Sequence, residues 1–135
     1  MSRQAMEKAI SEAPNNALTR SITQLLEVGD QLQGDILGIL PTVENADLVV
    51  TPSRIISVGR TGSIQVWRYA DVKQVLFSEG RKKLFGGREF VHLFIYPLNG
   101  SIIGFQLPTW VEYEYLRRVG MLAQSACKKA QIADL

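Results

Sequence analysis

The stretch Leu48–Tyr69, LVVTPSRIISVGRTGSIQVWRY, decides the fold. Three runs rich in Val, Ile and aromatic residues are separated by Thr51-Pro52-Ser53 and by Gly59-Arg60-Thr61-Gly62. β-branched residues suit a pleated strand, and Pro and Gly preset the turns between them. Strands joined by connections this short must pair antiparallel, because a parallel pair needs a crossover of a dozen residues or more.

Working outward, QGDILGIL at 33–40 reads as a strand ending at Pro41, and DVKQVLFS at 71–78 as another. In the latter, Val75 and Phe77 are expected opposite Val72 and Leu76. EFVHLFIYP at 89–97 and SIIGFQL at 101–107 flank Asn99-Gly100, the strongest hairpin signal in the chain. Before the strands, residues 3–13 show helical spacing of Ala5, Met6, Ala9 and Ile10, stopped by Pro14. A second helix is expected from an Asn15 or Asn16 cap, with Leu18, Ile22, Leu25 and Leu26 packed and Gly29 as its left-handed end. After the strands, Pro108-Thr109 opens a long amphipathic helix whose apolar face is Val111, Tyr115, Val119, Leu122 and Ala126, with Gln124 elsewhere.

The class is therefore mainly β (α+β). About seven antiparallel strands should form a partly open barrel, capped by the C-terminal helix because that apolar stripe needs the open mouth. Residues 1–31 read as an N-terminal helical extension and 32–135 as the main domain. With 135 residues, 46% hydrophobic and 21% charged, the chain suits a core that needs neither disulfide nor metal. Cys127 is the only cysteine, so no disulfide forms within the chain. The opening MSRQAMEKAISEA lacks the apolar run of a secretory signal, and a cytoplasmic location is expected, with any membrane contact peripheral.

LVVTPSRIISVGRTGSIQVWRYADVKQV, then HLFIYPLNGSIIGFQL, then a closing helix, resembles the bacterial pleckstrin-homology-like domains and their GRAM relatives. The resemblance covers roughly Leu32 to Ala126 and rests on hydrophobic patterning, which speaks to fold more than to function. It implies two bent sheets capped by the helix, and a binding or assembly module in place of an enzyme. Trp110 stands at the start of the last helix, where eukaryotic members carry a tryptophan within it. The first connection, PTVENA, holds an acid and no base, so no inositol-phosphate ligands are carried over.

Two candidate sites emerge. Arg81, Lys82, Lys83 and Arg88 crowd EGRKKLFGGREF at 79–90, with Leu84 and Phe85 among them. Near an anionic bilayer such cations contribute ~1 kcal/mol each, and Leu84 and Phe85 would add insertion. The same residues could meet nucleic-acid phosphates with Phe85 stacking on a base, although a net charge of +2 disfavours that partner. The bland alternative is a solvated hairpin tip. The second candidate is FVHLFIY. Val91, Leu93 and Ile95 form one face of the strand, and Phe90, His92, Phe94 and Tyr96 the other. A half-solvated strand should alternate apolar with polar, and this one does not. Either the N-terminal helices cover the aromatic face or another subunit does, which makes a protein partner or a homo-oligomer the expected assembly.

No catalytic group is expected. His92 has no second His or Cys at metal-ligand spacing, and reads as a packing residue before a pH-sensitive one. Ser53 and Ser57 lack triad partners, Glu112 and Glu114 are expected on different sides of a helix, and Cys127 reads as a packing thiol despite Lys128 and Lys129 beside it. GRTGS lacks the lysine ending and following helix of a phosphate loop. Gln65, Trp67 and Tyr69 share a strand face that packing explains before a ligand groove does. No cofactor is implied.

Overall fold

In the computed structural model the described residues are 2–32, 34–80, 84, 90–109 and 111–133. Two helices, α1 (Ser2–Glu12) and α2 (Ile22–Gln31), precede seven strands: β1 (Gly38–Pro41), β2 (Ala46–Val50), β3 (Arg54–Gly59), β4 (Ile64–Arg68), β5 (Val72–Glu79), β6 (Val91–Pro97) and β7 (Ile103–Leu107). The last element is α3 (Tyr113–Ala133). Strands β1-β2-β3-β4 make one antiparallel sheet in that order, and β5-β6-β7 make a second. The α+β class and the antiparallel strands stand as expected, but the two sheets do not close into a barrel.

Strands β1, β2 and β3 of the first sheet are buried on both faces, which is why they are apolar almost without interruption, while β4 at the edge is mostly exposed. Its inner face gives Leu40, Leu48, Val50 and Ile55 to the main core. The second sheet adds Val75, Phe77, Val91, Leu93, Ile95 and Leu107. On the outer face, Ile39, Val49, Ile56 and Val58 pack against Met6 and Ala9 of α1 and Leu25 and Val28 of α2. The N-terminal helices therefore cover the first sheet.

Asp47 ties the α1–α2 connection to that sheet. Its carboxylate is fully buried and accepts from the Thr19 N–H, the Thr19 hydroxyl and the Arg20 N–H at 2.9–3.2 Å. Burial pushes its pKa up, against the opposing pull of those same bonds.

Helix α3 fills the seam between β1 and β5, and it does so through side chains that replace a missing strand. The Tyr115 hydroxyl donates to the Ile39 carbonyl and accepts from the Ile39 N–H, on the β1 edge. Gln124 accepts the Phe77 N–H at 3.0 Å, and Gln131 donates to the Val72 and Lys73 carbonyls at 2.8 Å, both on the β5 edge. Cys127 lies between the two glutamines, bonded to the Val75 backbone, and burial pushes its thiol pKa up. Positions 124, 127 and 131 form one helical stripe. The close approach needs glycine: a Cβ on Gly120 would sit 2.4 Å from the Phe77 ring.

Several expectations are corrected. Helix α2 starts after Ser21, whose hydroxyl caps Gln24, and Pro14–Ala17 close a turn instead of a helix. Ile22 is accordingly exposed. Gly29 lies within α2, where a Cβ would be 2.6 Å from the Met6 Cβ; it permits the α1–α2 crossing and does not end the helix. Strand β1 begins only at Gly38. A register shift between Val72 and Gln74 turns Val72 inward with Val75 and Phe77, leaving Leu76 outside with Gln74 and Ser78. Tyr69 leaves the strand in a short 3-10 turn and buries its ring, with its hydroxyl on the Thr51 carbonyl at 2.8 Å. Helix α3 begins at Tyr113, and its packed stripe runs through Leu116, Ala123 and Cys127, so Leu122 is partly exposed.

Gly120→Ala is expected to destabilise the fold by about 1–3 kcal/mol in urea unfolding, from overpacking against Phe77. The double variant with Phe77→Leu should lose less than the sum of the single losses, because the ring edge is what the new methyl meets. Additive losses would count against this contact.

Candidate functional site

Strand β6 is central in its sheet, with β5 on one side and β7 on the other. The pleat sends Val91, Leu93 and Ile95 into the core and leaves His92, Phe94 and Tyr96 outside, half-buried. Phe90, 57% exposed, precedes the strand and extends the row. The rings form a ladder along the strand. Phe90 and His92 stack with centroids 6.5 Å apart, His92 and Phe94 at 5.2 Å and 13° between planes, and Phe94 and Tyr96 tilt at 6.4 Å. Such contacts are worth ~0.5–1.5 kcal/mol each beyond area burial.

The flanking strands leave this row accessible. Opposite His92 lie Ser78 on β5 and Gln106 on β7; opposite Phe94 lie Leu76 and Gly104; opposite Tyr96 lies Gln74. Gly104 gives the Phe94 ring its resting place, since a Cβ there would be 2.9 Å from the ring. Exposed Ile102 continues the apolar surface just before β7. None of these outward residues is an Asp, Glu, Lys or Arg. Among the described residues no segment of the chain seals the ladder from solvent, because α1 and α2 are spent on the first sheet.

Phe90, His92, Phe94 and Tyr96 share one face as the alternation has it, and the N-terminal helices pack on the first sheet instead of covering that face. It missed Leu76, Ile102 and Gly104. Leu76 was legible as the outward residue of an apolar strand, but its lateral position depends on the β5–β6 register.

The basic segment is a different matter. Arg81, Lys82, Lys83, Phe85 and Arg88 lie outside the described residues, as does Trp110. Leu84 is described, and it is 90% exposed. Glu112 precedes α3 and lines one shallow cleft with Glu114, Glu12 and Arg118. Among the described residues no three His, Cys, Asp or Glu side chains gather to hold a metal. Trp67 meets Phe105 edge-on at 5.7 Å, which is inner-face packing. Among the described residues no helix is long and apolar enough to cross a membrane.

His92 is the only histidine, so its ring protons report on the ladder without assignment ambiguity. Phe94→Leu should move those proton resonances downfield, because the nearly parallel Phe94 ring shields them. An unchanged spectrum would mean the ladder is not formed in solution. No family model matches this chain, and neither does any curated protein or solved structure.

Proposed function

We propose that this chain is a non-catalytic interaction module of the pleckstrin-homology-like kind, which self-associates through the outer face of β5, β6 and β7. The observation that carries this reading is the aromatic row Phe90–His92–Phe94–Tyr96 left open to solvent while the N-terminal helices cover β1, β2 and β3 of the first sheet. Contiguous exposed apolar surface marks an interface, and aromatic residues dominate interface energetics.

A second copy is the occupant favoured by charge. The aromatic row and the residues opposite it carry no fixed charge to attract a charged partner and none to repel their own image. Two copies related by a two-fold axis would lay ring against ring. Size sets the strength. Three strands ~4.8 Å apart and seven residues at ~3.4 Å give a footprint of roughly 340 Å², against ~800 Å² per partner in a standard interface. Association through this face alone therefore belongs to the weak, concentration-dependent class.

A second reading assigns the chain a peripheral contact with anionic membrane through Arg81, Lys82, Lys83 and Arg88. The exposure of Leu84 within that basic segment favours it, since an aliphatic side chain there supplies the apolar signal that charge alone lacks.

Sedimentation equilibrium of the wild-type protein should show a mass that rises with concentration. Phe94→Glu or Tyr96→Glu should lower the association constant about thirtyfold or more, for ~2 kcal/mol lost by burying one unpaired carboxylate. A wild-type chain that stays monomeric throughout would refute the assembly reading. For the membrane reading, the protein should co-sediment with phosphatidylserine vesicles at low salt and less so at high salt. Binding left unchanged by neutralising all four cations would dismiss the basic segment.

A further inference from the structure

The two sheets have four edges, and three of them are occupied. Tyr115 satisfies Ile39 on the β1 edge, and Gln124 and Gln131 satisfy the β5 edge. The β1–β2 connection closes the β7 edge: the Val43 N–H donates to the Gln106 carbonyl at 2.9 Å, and the Gln106 N–H donates to the Glu44 carboxylate at 3.3 Å. Among the described residues strand β4 pairs with β3 alone.

The hydrogen-bonding phase of β4 follows from its two ends. Gly59 donates to the Ser63 carbonyl at 2.8 Å, and Tyr69 donates to the Ser53 carbonyl at 3.1 Å. Residues 63, 65, 67 and 69 therefore direct their backbone groups towards β3. Ile64, Val66 and Arg68 direct theirs away, where no partner meets them among the described residues. The side chains suit pairing as well. Ile64 and Val66 are 44% and 48% exposed, and they sit beside Val58 and Ile56, whose apolar row α1 and α2 cover. The strand IQVWR contains no lysine, proline or bulge of the kind that blunts natural edges.

We propose that β4 pairs antiparallel with β4 of a second copy, about a two-fold axis at Val66, joining two first sheets into one continuous sheet. The two-fold register is self-complementary. Val66 faces its own image, Ile64 faces the aliphatic stem of Arg68, and Gln65 faces Trp67. Every outward donor and acceptor of both strands is matched, and no like charges stand opposed. A register centred on Gln65 or Trp67 would leave some of them unmatched. A foreign extended peptide would satisfy one exposed edge, whereas a second copy satisfies two. This contact lies on the other sheet from the aromatic ladder and does not rest on that reading.

The test uses the full chain carrying Phe94→Glu, so that the ladder contributes nothing. Its mass should still rise with concentration in sedimentation, and adding Val66→Pro should abolish the rise. Proline at 66 removes only an outward N–H, so the β3–β4 ladder survives; a His92 resonance unchanged from that of Phe94→Glu alone verifies that the variant is folded. A second arm uses Val66→Cys. Residues paired by mutual hydrogen bonds sit ~5.5 Å apart at Cα, within the ~4.4–6.8 Å span of a disulfide. Native Cys127 is buried and does not compete. Mild oxidation should give a covalent dimer with Val66→Cys and little with Ile132→Cys, a site on α3 that is more exposed still. The proposal is overturned if Val66→Pro leaves the concentration dependence intact, or if Val66→Cys cross-links no faster than Ile132→Cys. Retained association in Phe94→Glu and its loss in Val66→Pro would separate this edge from the ladder.

Discussion

The fold depends on one helix finishing two unfinished sheets. An edge strand leaves a row of N–H and C=O groups, and burying that row without partners costs ~1–3 kcal/mol for each group. Between β1 and β5 the partners are not another strand but the hydroxyl of Tyr115 and the amides of Gln124 and Gln131. A helix cannot continue a ladder with its own backbone, whose groups are already bonded along its axis. It can present side chains at the right spacing, and α3 does so while burying Leu116, Val119 and Ala123 in the same core. The polar and apolar parts of the docking therefore stand or fall together. The price is intimacy, seen where Gly38 lies under Val119 and Gly120 under Phe77.

A second constraint decides which surfaces remain for partners. The chain has two short helices to spend at its N-terminus, and Asp47 fixes where they go by gathering the backbone of Thr19 and Arg20 onto β2. The first sheet thus becomes the middle layer of a three-layer arrangement, and the second sheet keeps one naked face. This division explains the unusual patterning of β6 without appeal to the core: its inward residues pack, and its outward residues are aromatic for some other reason.

Much of this was legible because strand and turn signals are local. Thr51-Pro52-Ser53 and Gly62 end strands where they should, and Gly100 takes the positive φ its Asn-Gly setting predicts. What escaped is tertiary. Gly29 looks like a helix end until Met6 is known to cross it. Gln124 looks solvent-facing until β5 is known to need an acceptor. The bulge near Val72 changes which residues share a face, and period-2 counting is blind to it. The β6–β7 register places Ile95 opposite Ile103, a looser hairpin than the tightest Asn-Gly turn, and a slip of one residue would put Gly104 on the core side. The aromatic members of the site could be read from alternation alone, whereas its uncovered state depended on where two distant helices dock.

The burial of Cys127 has a practical corollary. The only thiol belongs to a residue 1% exposed, between Gln124 and Gln131 on the very helix that completes the β5 edge. Alkylating reagents can reach it only when α3 lifts from that strand. The rate at which such a reagent consumes the thiol is thus a clock for helix detachment, and it needs no engineered probe to be read.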